Sequence, residues 1–529
     1  VESSARDNEW RTFDESSPAI LFVALARGIS TERMQAICAD GAMATFFIEQ
    51  FGCRATQADA AAIERQLLER GYAASTDANS ADVVVVNTCT VTAAADVQAR
   101  QAIHAIHRDN PVARIVVTGC YAQRAPEELA TLSGVSWVVG NSHKPEIPRL
   151  VQEMTPALAN REAAEFVSLA QIARDKSLTT FTRGEPFVQI ARGESASPIT
   201  GEYDSLECGR AQILTGNIRE QRELFFAPIQ GGEAGHTRPV LKIQDGCDSR
   251  CSFCVIPQVR GRSRSLAPGR VVEEIRKLTE NGAREIVLSG IDLGSYGRDL
   301  KPRAELGELL RRIVEETLIE RLRVSSIEPM DVTEDLISLF AASERMARHF
   351  HMPLQSGSDR ILAAMHRWYR AEHYARHAEL VREWLPEAGI GADVIAGFPG
   401  ETDEDHRATL ALIDRLPLAY LHVFSFSPRP GTPAAEMRDH VPAAVIAKRA
   451  RQLRALGEEK RSAFRAAQVG RTLRVLTLHR EGEDLAGPWT RALSGNYIDV
   501  RVAGRCPANQ FLDVQIAGER DGCLAGVAL

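Results

Sequence analysis

The sequence predicts an α/β protein of three parts: a doubly wound N-terminal parallel-sheet domain, a partial barrel of six βα units, and a small C-terminal all-β barrel. Three observations carry this. An apolar run, a turn bearing one cysteine and an amphipathic helix recur three times between residues 44 and 130, and alternating β and α elements with buried-looking strands build parallel sheets. A second series of βα units starts at Pro239, too few for a closed barrel and enough for an open one. From Gln468 the pattern changes to short alternating runs parted by glycines, as in a small antiparallel barrel.

Composition narrows the function classes. Of 529 residues, 44% are hydrophobic and 25% charged, as in an ordinary soluble protein. Lys and Arg number 63 against 70 Asp and Glu, a net charge of −7, so a polyanion must be held by a local patch. The apolar run Ala19–Ala26 is too short for a bilayer, and Glu2, Asp7, Glu9, Asp14 and Glu15 precede it where a secretory signal needs positive charge. A cytoplasmic protein without membrane contact is expected. Ten cysteines are too sparse for a disulfide scaffold, so grouped ones point to metal binding or redox chemistry.

Taken in order, residues 1–42 lack sustained periodicity and admit two readings: an extension ahead of a natural start at Met43, or a partly helical extension over Ile20–Ile37. The domain at 43–150 holds Ala44–Gln50 with Cys53 and a helix over Gln57–Arg70, then Val83–Val86 with Cys89 and a helix over Ala93–Arg108, then Ile115–Val117 with Cys120 and a helix from Pro126. Ligands of such a sheet sit at the carboxyl ends of its strands, where all three cysteines fall. Residues 151–236 show weak order and read as a linker or insert. The barrel at 237–467 has strands Val240–Ile243, Glu285–Ser289, Arg323–Ile327, Phe350–Leu354, Ala392–Ala396 and Leu421–Ser425, with helices such as Arg270–Asn281, Leu306–Glu316 and Ala371–Trp384 between them. It ends in a basic, helix-forming stretch over 434–467. The domain at 468–529 has strands Leu473–Leu478, Tyr497–Val502 and Phe511–Ile516.

Cys247, Cys251 and Cys254 stand as Asp-Gly-Cys-Asp-Ser-Arg-Cys-Ser-Phe-Cys on the loop after the first barrel strand. Three thiolates on one short loop can hold three irons of a cubane and leave the fourth open. An open metal position means chemistry, and the amino and carboxylate end of S-adenosylmethionine fits an open iron at a barrel top. The competing reading is a zinc site completed by a histidine, yet none lies between His236 and His349. Cys53, Cys89 and Cys120 are too far apart for a local metal motif, and a buried free cysteine is the ordinary alternative. Their shared place at the ends of successive strands favours a site. Cys38, Cys208, Cys506 and Cys523 lack partners and read as structural or incidental.

This spacing in this fold resembles the radical S-adenosylmethionine superfamily, and within it the methylthiotransferases. The resemblance rests on Phe51-Gly-Cys-Arg-Ala-Thr-Gln57, Asn87-Thr-Cys-Thr-Val-Thr92, Thr118-Gly-Cys-Tyr-Ala-Gln123, Pro353-Leu-Gln-Ser-Gly-Ser-Asp359, Gly397-Phe-Pro-Gly-Glu401 and Ser427-Pro-Arg-Pro-Gly-Thr432. It implies a TRAM domain at the C-terminal end and two 4Fe-4S clusters. One, on Cys247, Cys251 and Cys254, reduces S-adenosylmethionine to a 5′-deoxyadenosyl radical that abstracts hydrogen from an unactivated C–H. The other, auxiliary, on Cys53, Cys89 and Cys120, is associated with the sulfur that a second S-adenosylmethionine methylates. Implied partners are a tRNA anticodon stem-loop and a reductant such as flavodoxin or ferredoxin. Lys242-Ile-Gln-Asp-Gly-Cys247 with Arg260-Gly-Arg-Ser-Arg-Ser265 resembles the subgroup acting on C2 of N6-threonylcarbamoyladenosine at tRNA position 37 more than those acting on isopentenyladenosine or a ribosomal protein.

Other loops supply further candidates. Ser289 and Gly290 open a glycine-containing loop that resembles the segment holding the methionine amino group, with a plain turn as the rival. Glu328, Gln355, Ser356 and Asp393 lie at or beyond strand ends and read as cofactor or substrate contacts. Arg260, Arg262 and Arg264 read as binders of RNA phosphate, against a solvated face. Trp489 and Tyr497 are candidate stacking platforms, and Phe511, inside a strand, reads as core. A rival of another class is a non-catalytic RNA-binding protein with structural zinc. The carboxylate of a threonylcarbamoyl group requires an arginine or polar residues near the barrel mouth, and the sequence singles out none.

Overall fold

The computed structural model describes residues 44–155, 211–226, 237–484 and 487–529. The two readings of 1–42, and Cys38 and Cys208, lie outside them.

Val83, Val84, Val85 and Val86 are all fully buried, as a β-branched run in a parallel strand covered on both faces must be. They lie in the N-terminal sheet, which comprises β1 (Thr45–Gln50), β2 (Ala73–Ala74), β3 (Val83–Thr88), β4 (Arg114–Gly119), β5 (Val135–Gly140) and β6 (Gln212–Leu214). The order is β2-β1-β3-β4-β5-β6, and every pairing is parallel. Helices Arg54–Glu69 and Ala93–Asp109 follow β1 and β3. The sixth strand comes from the stretch read as an insert. Its residues satisfy the edge of β5, whose backbone groups would otherwise be unpaired.

The barrel begins with β7 (Val240–Lys242), followed by the short antiparallel pair β8 (Gln244–Asp245) and β9 (Arg264–Ser265), then β10 (Glu285–Ser289), β11 (Arg321–Val324), β12 (His349–His351), β13 (Gly389–Ala396) and β14 (Tyr420–Ser425). Two parallel triplets, β11-β10-β7 and β12-β13-β14, are joined by single bridges Leu322 to Met346 and Ser326 to His351. The six strands thus run in sequence order and leave a gap between β7 and β14. The N-terminal domain closes that gap. Asp59, on its first helix, pairs with Lys242 of β7. Beyond β14, Ser427 Oγ accepts a hydrogen bond from the Ala93 amide at 3.0 Å, and Arg429 Nη1 lies 2.6 Å from Asp96. The Ser-Pro-Arg-Pro-Gly-Thr segment is therefore a latch between domains.

The C-terminal domain is a closed barrel of β15 (Thr472–Asp484), β16 (Gly487–Ser494), β17 (Asp499–Ala503), β18 (Phe511–Arg520) and β19 (Cys523–Ala528), ordered β15-β16-β17-β19-β18. The sequence pattern missed β16 and β19, and the β17–β19 pairing is parallel where an antiparallel barrel was expected. This domain sits against the N-terminal ends of the partial-barrel strands. Arg321 and Arg323, both anchored on buried Glu285, donate to the carbonyls of Leu493, Ser494 and Gly495 at 2.9 to 3.0 Å. Among the described residues no helix is long and apolar enough to cross a membrane.

Candidate active site between two cysteine trios

Cys53, Cys89 and Cys120 converge because glycines precede two of them. Gly52 and Gly119 both have φ of +102°, open to glycine and strained for other residues. A Cβ on Gly52 would stand 2.6 Å from Cys89 Cβ, and one on Gly119 would stand 2.2 Å from the Thr88 carbonyl oxygen. Cys53 is exposed while Cys89 and Cys120 are buried. Burial, and then the nearby Cys120 thiol, pushes the Cys89 thiol up to about 12.

The second trio lies on the loop between β8 and β9. Burial and the Asp292 carboxylate push the Cys247 thiol up to about 12, and burial does the same to Cys254. Cys247 Sγ lies 3.4 Å from Asp292 Oδ2, and Arg367 Nη1 lies 3.3 Å from Cys251 Sγ. Thiols held this way lose their protons to a bound cation, so the donors fit a metal centre. Among the described residues, only His351, Asp393 and His422 bring three such ligand atoms within 4.8 Å of one another. Neither cysteine trio does. Three sulfurs on one tetrahedral zinc would sit about 3.8 Å apart, given zinc–sulfur bonds of about 2.3 Å. Three cysteines on each side, with no histidine grouped with them among the described residues to complete a zinc site, suit a cluster that leaves one position open.

The trios share one interface. Val255, next after Cys254, packs with Val259 against Cys120. Asn141 Nδ2 donates to the Val259 carbonyl at 2.7 Å and approaches Cys120 Sγ at 3.6 Å. Behind the interface lies a buried ionic network. Asp59 accepts from Lys144 at 2.5 Å, from Lys242, and from Arg260 at 3.1 Å, while Asp245 accepts from Lys242 and Arg260 at 2.9 Å. Burial alone would raise the Asp59 carboxyl, but Lys144, Lys242 and Arg260 outweigh it and hold it at about 2.

This network corrects one expectation. Arg260 is 2% exposed and Arg264 7% exposed, with guanidiniums turned inward to Asp59, Asp245 and the Arg260 carbonyl. They neutralise buried carboxylates and cannot reach RNA phosphate. Arg262 alone of the three is exposed, and with Arg219 and Arg250 it lines a cleft of about 340 Å³ beside Cys247.

The loop after β10 meets the cluster loop, with Asp292 against Cys247. Ser289 is buried at the strand end. Gly290 approaches Gln244 so closely that a Cβ would lie 2.9 Å from its Oε1, and that oxygen accepts from the Ile291 and Asp292 amides at 2.9 Å. Glu328 pairs with Arg367, which also touches Cys251. Gln355 has a positive φ of 66°, a strained conformation for a residue with a Cβ, and its carbonyl accepts from the Ile395 amide at 3.0 Å. Ser356 is corrected: its hydroxyl is buried against Thr409 and the Ser358 amide, so it fastens the loop to helix Asp403–Arg415. Asp393 lies mid-strand on the lumen side, with His351 and His422. Arg54, Asp59, Asn141, Arg367 and the luminal histidines were missed, because each depends on a partner far away in sequence. Tyr497 does stack, but on His349 of the barrel, with ring centroids 4.5 Å apart. Phe511 is only half-buried and lies under Arg321 and Arg474, so it belongs to the domain contact.

Comparisons with known proteins agree with this geometry. Residues 45–140 match the model of "Uncharacterized protein family UPF0004", and residues 241–413 match that of the "Radical SAM superfamily". The threonylcarbamoyladenosine tRNA methylthiotransferase MtaB of Aquifex aeolicus is 35% identical over 468 residues, covering 88% of this chain and 99% of that one. The MtaB of Bacillus subtilis is 32% identical over 82% of this chain and 85% of its own. The tRNA-2-methylthio-N(6)-dimethylallyladenosine synthase of Acidothermus cellulolyticus is also 32% identical, over 92% and 85%. With both family models in place and relatives aligned over nearly their whole length, the chain belongs to the tRNA methylthiotransferases of the radical S-adenosylmethionine superfamily.

Proposed function

We propose that this protein methylthiolates C2 of N6-threonylcarbamoyladenosine at position 37 of tRNA, using two 4Fe-4S clusters and S-adenosylmethionine. The observation that supports the reading is the contact of Val255, next to Cys254, and of Val259 with Cys120, which brings the two cysteine-bearing loops together. Bound clusters would supply electron transfer to S-adenosylmethionine at one site and sulfur at the other.

The chain's own residues do the rest. Cys247, Cys251 and Cys254 hold one cluster, with the Arg367 guanidinium near Cys251 offsetting its negative charge. Ser289, Gly290 and Glu328 would receive the methionine end of the cofactor, where Gln244 keeps the 291–292 backbone in place. Cys53, Cys89 and Cys120 hold the second cluster, and Asn141 orients Cys120. Arg262, Arg219 and Arg250 offer the positive lip for the anticodon stem-loop.

Names of relatives favour the threonylcarbamoyl substrate, while the dimethylallyladenosine synthases support the isopentenyl alternative. Anaerobically reconstituted protein should bind about eight irons, four per cubane. Given reductant and stem-loops bearing each modification, it should add a methylthio group to the threonylcarbamoyl form only, as read by mass spectrometry. Product on the isopentenyl form alone would move the protein to the sister subgroup, and zinc in place of iron would overturn the enzymatic reading.

A further inference from the structure

The sequence offers no partner for a substrate carboxylate, but the folded barrel gathers a row of polar rings that the two cysteine sites do not use. Along a strand, alternate side chains share one face. His349 and His351 on β12, Gly391 and Asp393 on β13, and Tyr420 and His422 on β14 therefore line up, with His351 opposite Gly391 and Asp393 opposite His422. Gly391 leaves space that the Tyr420 ring fills, since a Cβ there would stand 2.1 Å from it. The His351 and His422 rings lie 5.2 Å apart. From the other domains, Arg54, next to Cys53, donates to Tyr497 Oη at 3.1 Å, and Tyr497 lies 6.0 Å from Tyr420. The row is thus enclosed by the barrel wall, the Cys53 loop and the C-terminal domain.

The hydrogen bonds assign direction. Asp393 Oδ1 lies 3.0 Å from His351 Nε2 and 3.1 Å from His422 Nδ1. An ionised carboxylate only accepts, so the His422 Nδ1–H donates to it, while His351 Nε2 stands close by without hydrogen-bond geometry. His351 Nδ1 lies 2.7 Å from the Ser326 hydroxyl. His422 is different. Its side chain is 50% exposed, and with Nδ1 committed to Asp393 its Nε2 edge is left for a ligand. With Nδ1–H donated to Asp393, the His422 Nε2 is an acceptor, which suits a substrate hydroxyl and leaves the carboxylate to Arg54.

We propose that His422, oriented by Asp393, and Arg54, which reaches the row at Tyr497, form the subsite that takes the carboxylate and hydroxyl of the substrate's N6 substituent. This rests on the threonylcarbamoyl reading above. An isopentenyl group would cover His422 and Arg54 without pairing them, and a site built to hydrogen-bond rejects an analogue that lacks the groups.

The test uses the anaerobic full-length holoprotein and fluorescent anticodon stem-loops with a threonylcarbamoyl, an isopentenyl or an unmodified adenosine, at one salt concentration. The readout is the ratio of dissociation constants, because a variant that lost its fold or its RNA surface would weaken all three together. Wild type should prefer the threonylcarbamoyl loop. His422→Phe and Arg54→Met should each reduce that preference about tenfold, the loss of one hydrogen bond, and His422→Gln, which keeps a hydrogen-bonding amide, should retain part of it. A preference unchanged in both His422→Phe and Arg54→Met would overturn the subsite while leaving the substrate reading intact. A wild type that favours the isopentenyl loop would overturn both. Stoichiometric zinc in wild type that is absent from His422→Phe would show the row to be a metal site and overturn the proposal.

Discussion

Asp59 shows how much one buried carboxylate can decide. It comes from the N-terminal domain, and two of its three cationic partners, Lys242 and Arg260, come from the barrel. Asp59→Asn would leave Lys144, Lys242 and Arg260 short of countercharge in a buried site, a loss of about 3–5 kcal/mol for a broken buried pair. The expected outcome is a clear fall in melting temperature, with the N-terminal domain more open to proteolysis. The pH dependence has a definite sign. The carboxyl is lowered from 3.8 to about 2, so its stabilisation is complete above pH ~4 and is lost as pH falls through ~2, on the order of 2 kcal/mol in all. Cluster-free wild type and Asp59→Asn, compared by urea midpoint, should therefore converge as pH falls across that window. Parallel profiles would rule out the assignment.

At the scale of elements, the turns after β1 and β4 decide whether three distant cysteines meet. Gly71 and Gly119 both have positive φ, but a Cβ on Gly71 meets nothing within 4 Å whereas one on Gly119 collides with the Thr88 carbonyl. Gly71→Ala should cost about 1 kcal/mol for the backbone conformation alone. Gly119→Ala should cost more and displace Cys120, so iron bound after reconstitution should fall toward one cubane's worth. Equal stability and equal iron in the two variants would show that close packing of β3 on β4 is not what places Cys120. The strands themselves were legible, since the Val83–Val86 run and the Glu285–Ser289 run have few other uses. Short strands β16 and β19 were not, because Gly487–Ser494 and Cys523–Ala528 carry weak alternation and gain their order by closing the barrel.

For the whole molecule, the C-terminal barrel is structurally coupled to the core as well as being a candidate RNA module. Its backbone carbonyls satisfy Arg321 and Arg323, whose side chains are 5% and 0% exposed. Removing residues 468–529 would uncover those guanidiniums and Glu285. The truncated protein should lose tRNA affinity and also melt at a lower temperature, by differential scanning fluorimetry. An unchanged melting temperature would show that the domain contact contributes little to stability.

The sequence by itself determined the fold class and singled out six cysteines as candidate ligands, because strand periodicity and a Cx3Cx2C loop are local patterns. It also supplied the glycines that let two of the three isolated cysteines approach their neighbours. Only the tertiary structure decided which of three neighbouring arginines face water. Arg260, Arg262 and Arg264 look alike in a basic run, yet burial against Asp59 and Asp245 takes two of them out of reach of RNA. The same holds for the luminal row, where His351, Asp393 and His422 come from three strands, and Arg54 from another domain completes it. Desolvation and charge pairing depend on what surrounds a side chain in space, and residues separated by tens to hundreds of positions leave no local pattern to read.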